Sequence, residues 1–295
     1  MNEDKRRFKG SINRYFYVGL SCAVFAILPL QIFAQQPSND LAETFRSGSV
    51  EAKREALFEI RNLGSDQASR LAISALSDSN EIVRATAASS IVFLPSDEAA
   101  AVLIPLLNDK ADFVRREAAY ALGIARSPTA IDALLQRLQK DKVLEIRSAS
   151  AIALGEIGDP NAIDALITVL TKKPREDEEF LRRSAARSIG QIAQILQTGK
   201  SKVLTPQNFL PENYRETEIL KYPDLTARFP AFRPAVTELI RVLQNSSEAD
   251  DTRREAAFSL GSIGDKSAIS ILEFNLNSDD PYLAHISKEA LLKLK

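Results

Sequence analysis

The sequence supplies very few side chains for chemistry. Its 295 residues include one histidine, His285, and one cysteine, Cys22. That inventory nearly excludes zinc sites, thiolate nucleophiles and serine-histidine-aspartate relays. His285 stands in Pro281-Tyr282-Leu283-Ala284-His285-Ile286 with no motif around it, and a solvent-facing or capping role accounts for it. Carboxylates are plentiful, and two clusters stand out: Glu176-Asp177-Glu178-Glu179 and Glu248-Ala249-Asp250-Asp251. Either has the donors of a calcium site or an acid-base pair. Both also precede a helical segment, where unpaired N–H groups and the helix dipole favour a carboxylate by about 0.3 to 1 kcal/mol, and that structural role suffices. No phosphate-cradling loop of the P-loop or dinucleotide type occurs. The reading is therefore of a protein with no catalytic residue, no metal ligand set and no cofactor.

Charge narrows the partner class. Hydrophobic residues make up 45% and charged residues 26%, the balance of an ordinary folded chain. The 38 Lys and Arg are matched by 39 Asp and Glu, whereas a nucleic-acid binder shows a basic excess on at least one face. Nucleic acid is set aside.

Residues 1–34 have the three parts of an export signal. Lys5, Arg6, Arg7, Lys9 and Arg14 form a basic stretch, an apolar run follows from Tyr15 to Leu30, and Ile32-Phe33-Ala34 places a small residue at a cleavage position. Cleavage would start the chain at Gln35 in the periplasm or outside the cell. It would leave 33 basic and 37 acidic residues and remove the only cysteine, so packing alone must hold the fold. An uncleaved membrane anchor is the alternative, since Tyr15 to Ala34 has the length of a spanning helix, although Pro29 and Gln31 weaken it. Gly19-Leu20-Ser21-Cys22 is a poor lipoprotein box.

The elements behind these residues are repetitive. The clearest copy is Val114-Arg115-Arg116-Glu117-Ala118-Ala119-Tyr120-Ala121-Leu122-Gly123; related segments run over 145–155, 181–190 and 252–261, with weaker copies at 52–61 and 82–92. Lys53, Arg84, Arg115, Arg147 and Arg182 fall in one column at intervals of 31, 31, 32 and 35 residues, and Arg253 follows after 71. One interval is stretched. Val114, Ala118, Ala121, Leu122 and Ala125 mark one helix face. A second helical pattern precedes each copy: Ala130-Ile131-Asp132-Ala133-Leu134-Leu135 matches Ala162-Ile163-Asp164-Ala165-Leu166-Ile167. Ser127-Pro128 and Asp159-Pro160 read as helix starts, and Gly158 and Gly264 as helix ends. Each unit is a helical hairpin. The fold class is all-α, a stack of helical hairpins with a period of about 31–35 residues.

These segments resemble the HEAT repeat, in the short bacterial variety also found in phycobilisome lyases. The resemblance covers about 49–198 and 232–295, and divides the chain into repeats over 35–197, an insertion over 198–232, and repeats with a C-terminal cap over 233–295. It implies a right-handed α-α superhelix whose curved surface grips another macromolecule, so the expected function is a non-catalytic scaffold or adaptor holding a protein or peptide. The family also implies an alternative, a bilin lyase or isomerase. Deoxyhypusine hydroxylases, another HEAT-like family, need paired His-Glu motifs, and this sequence has none.

Three expectations follow. Asp78, Asp109 and Asp141 lie six residues before Arg84, Arg115 and Arg147, which predicts a ladder of ion pairs along the stack rather than a basic stripe. Five residues after each basic residue come Phe58, Ser89, Tyr120, Ile152, Arg187 and Phe258. In HEAT-like stacks the second helices line the concave face, which makes Phe58, Arg116, Tyr120, Ile152, Arg187, Arg254 and Phe258 the candidate partner-binding residues; for Phe58 and Phe258 core packing is an equal alternative. The insertion holds Pro206, Pro211, Pro223 and Pro230, which preclude a continuous helix. Its Phe209, Tyr214, Tyr222 and Phe229 are a second set of candidate binding residues, able to fold across that face or to patch exposed core.

Overall fold

The computed structural model describes residues 36–200 and 221–295. The expected export signal, Phe209 and Tyr214 lie outside the described residues. Two units are distinguished, Met1–Asp40 and Leu41–Lys295, and the repeat stack is the second. Fourteen α-helices and no strand occur among the described residues, and none of these helices is long and apolar enough to cross a membrane.

After α1 (Gln36–Ser47), the second helices of the hairpins are α2 (Val50–Leu63), α4 (Glu81–Ser90), α6 (Asp112–Ala125), α8 (Leu144–Ile157), α10 (Glu179–Thr198), α12 (Asp250–Ile263) and α14 (Pro281–Leu294). The first helices between them are shorter: α3 (Asp66–Leu71), α5 (Ser96–Leu103), α7 (Ile131–Lys140), α9 (Ile163–Leu170), α11 (Phe232–Gln244) and α13 (Ile269–Phe274), several of them begun or ended by a 3-10 turn. Local signals place these boundaries. Ser49, Ser65, Asn80 and Asp280 cap helix N-termini with side-chain oxygens, and Asp159 caps the 3-10 turn before α9. Ser127 instead pairs its hydroxyl with that of Thr129. Gly158 and Gly264 end α8 and α12 with φ of 82° and 88°, where a side chain would be strained.

One continuous apolar core runs the length of the stack, from Leu57 to Leu294. Second helices pack closely on second helices because small residues meet there. A Cβ on Gly123 would lie 2.7 Å from the Ala153 Cα, one on Gly155 2.6 Å from the Ser188 Oγ, one on Gly190 would collide with the Ser259 Oγ, and one on Gly261 would lie 2.7 Å from the Ala290 Cα. Each glycine stands eight residues after the basic column. It receives the residue six after that column in the next repeat. The all-α solenoid thus rests on a glycine column that sets the spacing of its second helices.

The stretched interval does not interrupt the stack. Helix α11 packs beside α9, and α12 beside α10, as consecutive repeats do. The described end of the insertion, 221–231, lies along the C-terminal ends of the second helices: Tyr222 N–H donates to the Lys293 carbonyl (3.0 Å), Leu225 N–H to Ile263 (3.0 Å), and the Gln197 amide to Pro223 (2.7 Å). Leu225 is buried.

Candidate functional site

The column of basic residues binds repeat to repeat. Lys53 reaches Asp78 at 2.7 Å, Arg84 holds Asp109 through two bonds of 2.8 Å, and Arg115 holds Asp141 at 3.0 and 3.3 Å. Each of these three cations therefore takes an acid of the following repeat, although Arg115 also reaches Asp112 of its own helix at 2.8 Å. Arg253, the last of the column, meets its own Asp250 at 3.5 Å and Asn275 at 3.4 Å. A cation's own turn offers a backbone carbonyl, as Asp78 does to Arg84 and Asp109 to Arg115, both at 2.8 Å. Arg147 continues to Glu178 at 3.7 Å. Arg182 continues to Glu248 at 2.8 and 2.5 Å, with both side chains only 1% exposed, and this pair closes the stack across the insertion. The Arg84 hydrogen bond holds the Asp109 carboxyl below its ordinary range despite burial.

The ladder also takes one member of each acidic cluster. Glu178 and Glu248 are rungs, Asp251 binds Arg183 and Arg254 at 2.7 and 2.6 Å, and Asp177 binds Arg175. Among the described residues no group of three or more His, Cys, Asp or Glu side chains converges as a metal site would.

On the second-helix face the candidate column divides. Tyr120 and Ile152 are half-buried and line one depression with Ser89. Burial raises the Tyr120 phenol pKa. Phe58 is exposed under the Arg54 guanidinium, 5.8 Å from its ring centre. Arg116 folds back on Glu117 at 3.0 Å, close by Tyr120. Arg187 points to Glu255 at 3.4 Å, and Arg254 is held by Asp280 and Asp251 at 2.6 Å each. Phe258 does not face outward. It is 6% exposed, its ring fills the space over Gly190, and the Lys293 ammonium lies 5.6 Å above it. Core packing is its role.

The described aromatics of the insertion are also engaged internally. Tyr222 is half-buried with Lys293 at 5.2 Å, and Phe229 packs edge-on against Phe232 at 6.4 Å. They close the edge of the stack and do not cross the second-helix face.

The depression arises from an irregularity in α4. Helices α2, α6 and α8 each run for 14 residues, but α4 stops after 10, at Ser90. The chain then turns through Ile91-Val92-Phe93-Leu94-Pro95, and Val92 stands where α6 and α8 have Gly123 and Gly155. The missing turn leaves a notch of about 340 Å³ lined by Arg61, Ser89, Val92, Tyr120, Ile124 and Ile152 with Glu117 and Glu156 at its polar margin. Ile124 is 56% exposed, and Leu63 and Phe93 are exposed nearby on the ends of the neighbouring elements. Sequence reasoning missed Arg61, Val92 and Ile124. The signal was the run of bulky residues at 91–94 in place of the small residues of other copies.

Two stretches of the chain, 38–123 and 114–190, match the model for HEAT repeats, which spans more than half of it, and 252–278 matches the PBS lyase HEAT-like repeat. The chain belongs to the HEAT-repeat family. No curated protein matches the sequence. Among solved structures, this HEAT stack is similar to an engineered protein at 21% identity, covering 77% of this chain and 94% of that one with a TM-score of 0.50. A second engineered protein matches at 21% identity over 89% and 69%, with a TM-score of 0.51. The complex of CpcE and CpcF of phycocyanin lyase from Nostoc sp. PCC7120 matches at 20% identity over 93% and 91%, with a TM-score of 0.47. At such identities the likeness concerns the fold alone.

Proposed function

We propose that this HEAT-repeat protein is an exported, non-catalytic binding protein that holds a protein or peptide partner on its second-helix face. The notch at the truncated end of α4 carries the proposal. It combines an aromatic and aliphatic floor, Tyr120, Ile152 and Val92, with a charged margin of both signs, the composition of a protein-binding patch. Its volume of about 340 Å³ is at the small end of the roughly 300–1,000 Å³ of ligand pockets, which suits one or two inserted side chains better than a tetrapyrrole. Glu178 and Glu248 of the two acidic clusters are engaged in the ion-pair ladder, Asp177 and Asp251 pair with neighbouring arginines, and His285 sits on α14 while the notch is lined by α2, α4, α6 and α8. Export is supported by the basic stretch, the apolar run and Ile32-Phe33-Ala34 at the N-terminus.

A notch-filling variant tests the binding site. Ser89 is half-buried at the notch wall, and Ser89→Phe places a ring in the space without removing a core contact. The variant is expected to keep the wild-type melting temperature and lose the partner that co-purifies with the native protein. Undiminished partner recovery from a folded variant would refute this site. For export, intact-mass measurement is expected to give a chain beginning at Gln35; a chain retaining residues 1–34 would contradict cleavage.

A further inference from the structure

Resting on the binding reading above, the charge arrangement specifies the partner further. Arg61, on the last turn of α2, is exposed and lines the notch. Among the described residues its guanidinium has no ion-pair or hydrogen-bond partner. The other charges of the notch are spoken for: Glu117 holds Arg116 at 3.0 Å, and Glu156 holds Arg126 at 3.3 Å and accepts from the Gln191 amide at 2.9 Å. One positive charge is thus left uncompensated beside an apolar floor. We infer that the notch recognises an acidic, apolar peptide segment: a large aliphatic or aromatic side chain enters between Tyr120 and Ile152, and a carboxylate one or two residues away meets Arg61.

A basic segment would bring a like charge against Arg61 and find Glu117 and Glu156 already occupied by arginines, so the electrostatic term selects acid over base. A neutral apolar segment would fill the floor but leave Arg61 beside it without a counter-charge. The apolar contact gives most of the binding, and Arg61 at the rim gives sign selectivity.

Fluorescence anisotropy on the full chain tests this with three labelled probe peptides. The first is Gly-Ser-Glu-Leu-Phe-Glu-Ser-Gly, the second has both Glu replaced by Lys, and the third has Leu-Phe replaced by Ser-Ser. The first is expected to bind best. The lysine peptide should bind about fivefold more weakly, as one exposed charge pair allows, and the third should not bind detectably. Arg61→Gln should abolish the preference for glutamate over lysine, and Arg61→Glu should reverse it, both in a folded chain because Arg61 is exposed, with the Glu variant melting slightly lower because Arg61 lies in the last turn of α2. Equal affinity for the first two peptides, or a preference that survives Arg61→Gln, overturns the acidic specificity while leaving the binding face intact. Failure of all three peptides overturns the inference as well; the binding face is then judged by Ser89→Phe and the native partner.

Discussion

Replacing Glu248 by Ala removes the carboxylate that Arg182 grips through two hydrogen bonds across the insertion. Arg182 would remain fully buried and keep only carbonyl partners, Val169 at 3.1 Å, Leu170 at 3.2 Å and Lys172 at 2.8 Å. A buried cation that loses its counter-ion costs about 3–5 kcal/mol. Three carbonyls already solvate the guanidinium, so the lower figure applies, about 3 kcal/mol. At roughly 2–4 °C per kcal/mol for a unit of this size, the melting temperature should fall by about 6–12 °C. Thermal unfolding followed by circular dichroism at pH 7 measures it. Asp177→Ala provides the control, because Asp177 meets Arg175 with side chains 53% and 64% exposed, and such a pair contributes about 0–1 kcal/mol. A Glu248→Ala shift no larger than that of Asp177→Ala would refute the conclusion that this rung joins the repeats on either side of the insertion.

The Asp109 carboxyl titrates below its ordinary value of 3.8, chiefly through the Arg84 hydrogen bond; a depressed folded pKa gives stability that is present above pH 4 and lost as pH falls below it. The melting-temperature gap between wild type and Asp109→Asn should therefore close in acid, and a gap constant to pH 3 would contradict the pairing. Glu255 shows the opposite sign: burial pushes its carboxyl up to about 7 from 4.5, outweighing Arg187 and Arg183. Its contribution is full below pH 4.5 and lost as pH rises through 7, so Glu255→Gln should match wild type at pH 4.5 and exceed it in melting temperature at pH 8; equal curves would refute this. Gly123→Ala puts a methyl 2.7 Å from the Ala153 backbone and should cost about 1–3 kcal/mol by overpacking, measured by urea unfolding, where a neutral result would show the column is not tight. Leu225→Ala should cost at least about 2 kcal/mol in the same assay, since Leu225 is the buried apolar residue of segment 221–231; no loss would show that this segment does not hold to the stack.

The fold was legible because its signal is repeated. The basic column at 53, 84, 115, 147, 182 and 253, the small residues behind it and the Gly158 and Gly264 helix ends all report local conformation, and each copy corroborates the others. The acid-base spacing likewise announced the ladder, but not its register: six residues separate Asp109 from Arg115, yet Asp109 binds Arg84. Only the stacking of repeats decides that. The candidate face was half legible. Tyr120 and Ile152 meet as their column position predicts, whereas Phe258 shares the column and is buried, because Gly190 on the neighbouring helix leaves a hollow for its ring. Column position gives the direction of a side chain; the neighbour decides its exposure. The notch itself was hidden because it depends on a turn that α4 lacks, an absence recorded in the sequence only as a weak copy of the repeat.

The central claim, that a protein partner seats on the notch, is tested most directly by site-specific photo-crosslinking in the cells that make the protein. A photoreactive residue at Ile124, exposed at the notch rim, is compared with one at Gln136, exposed on the first helix α7. A discrete heavier band from the Ile124 position, absent from the Gln136 position and lost on adding Ser89→Phe, is the expected result. Crosslinks of equal yield at both positions, or at Gln136 alone, would contradict the account.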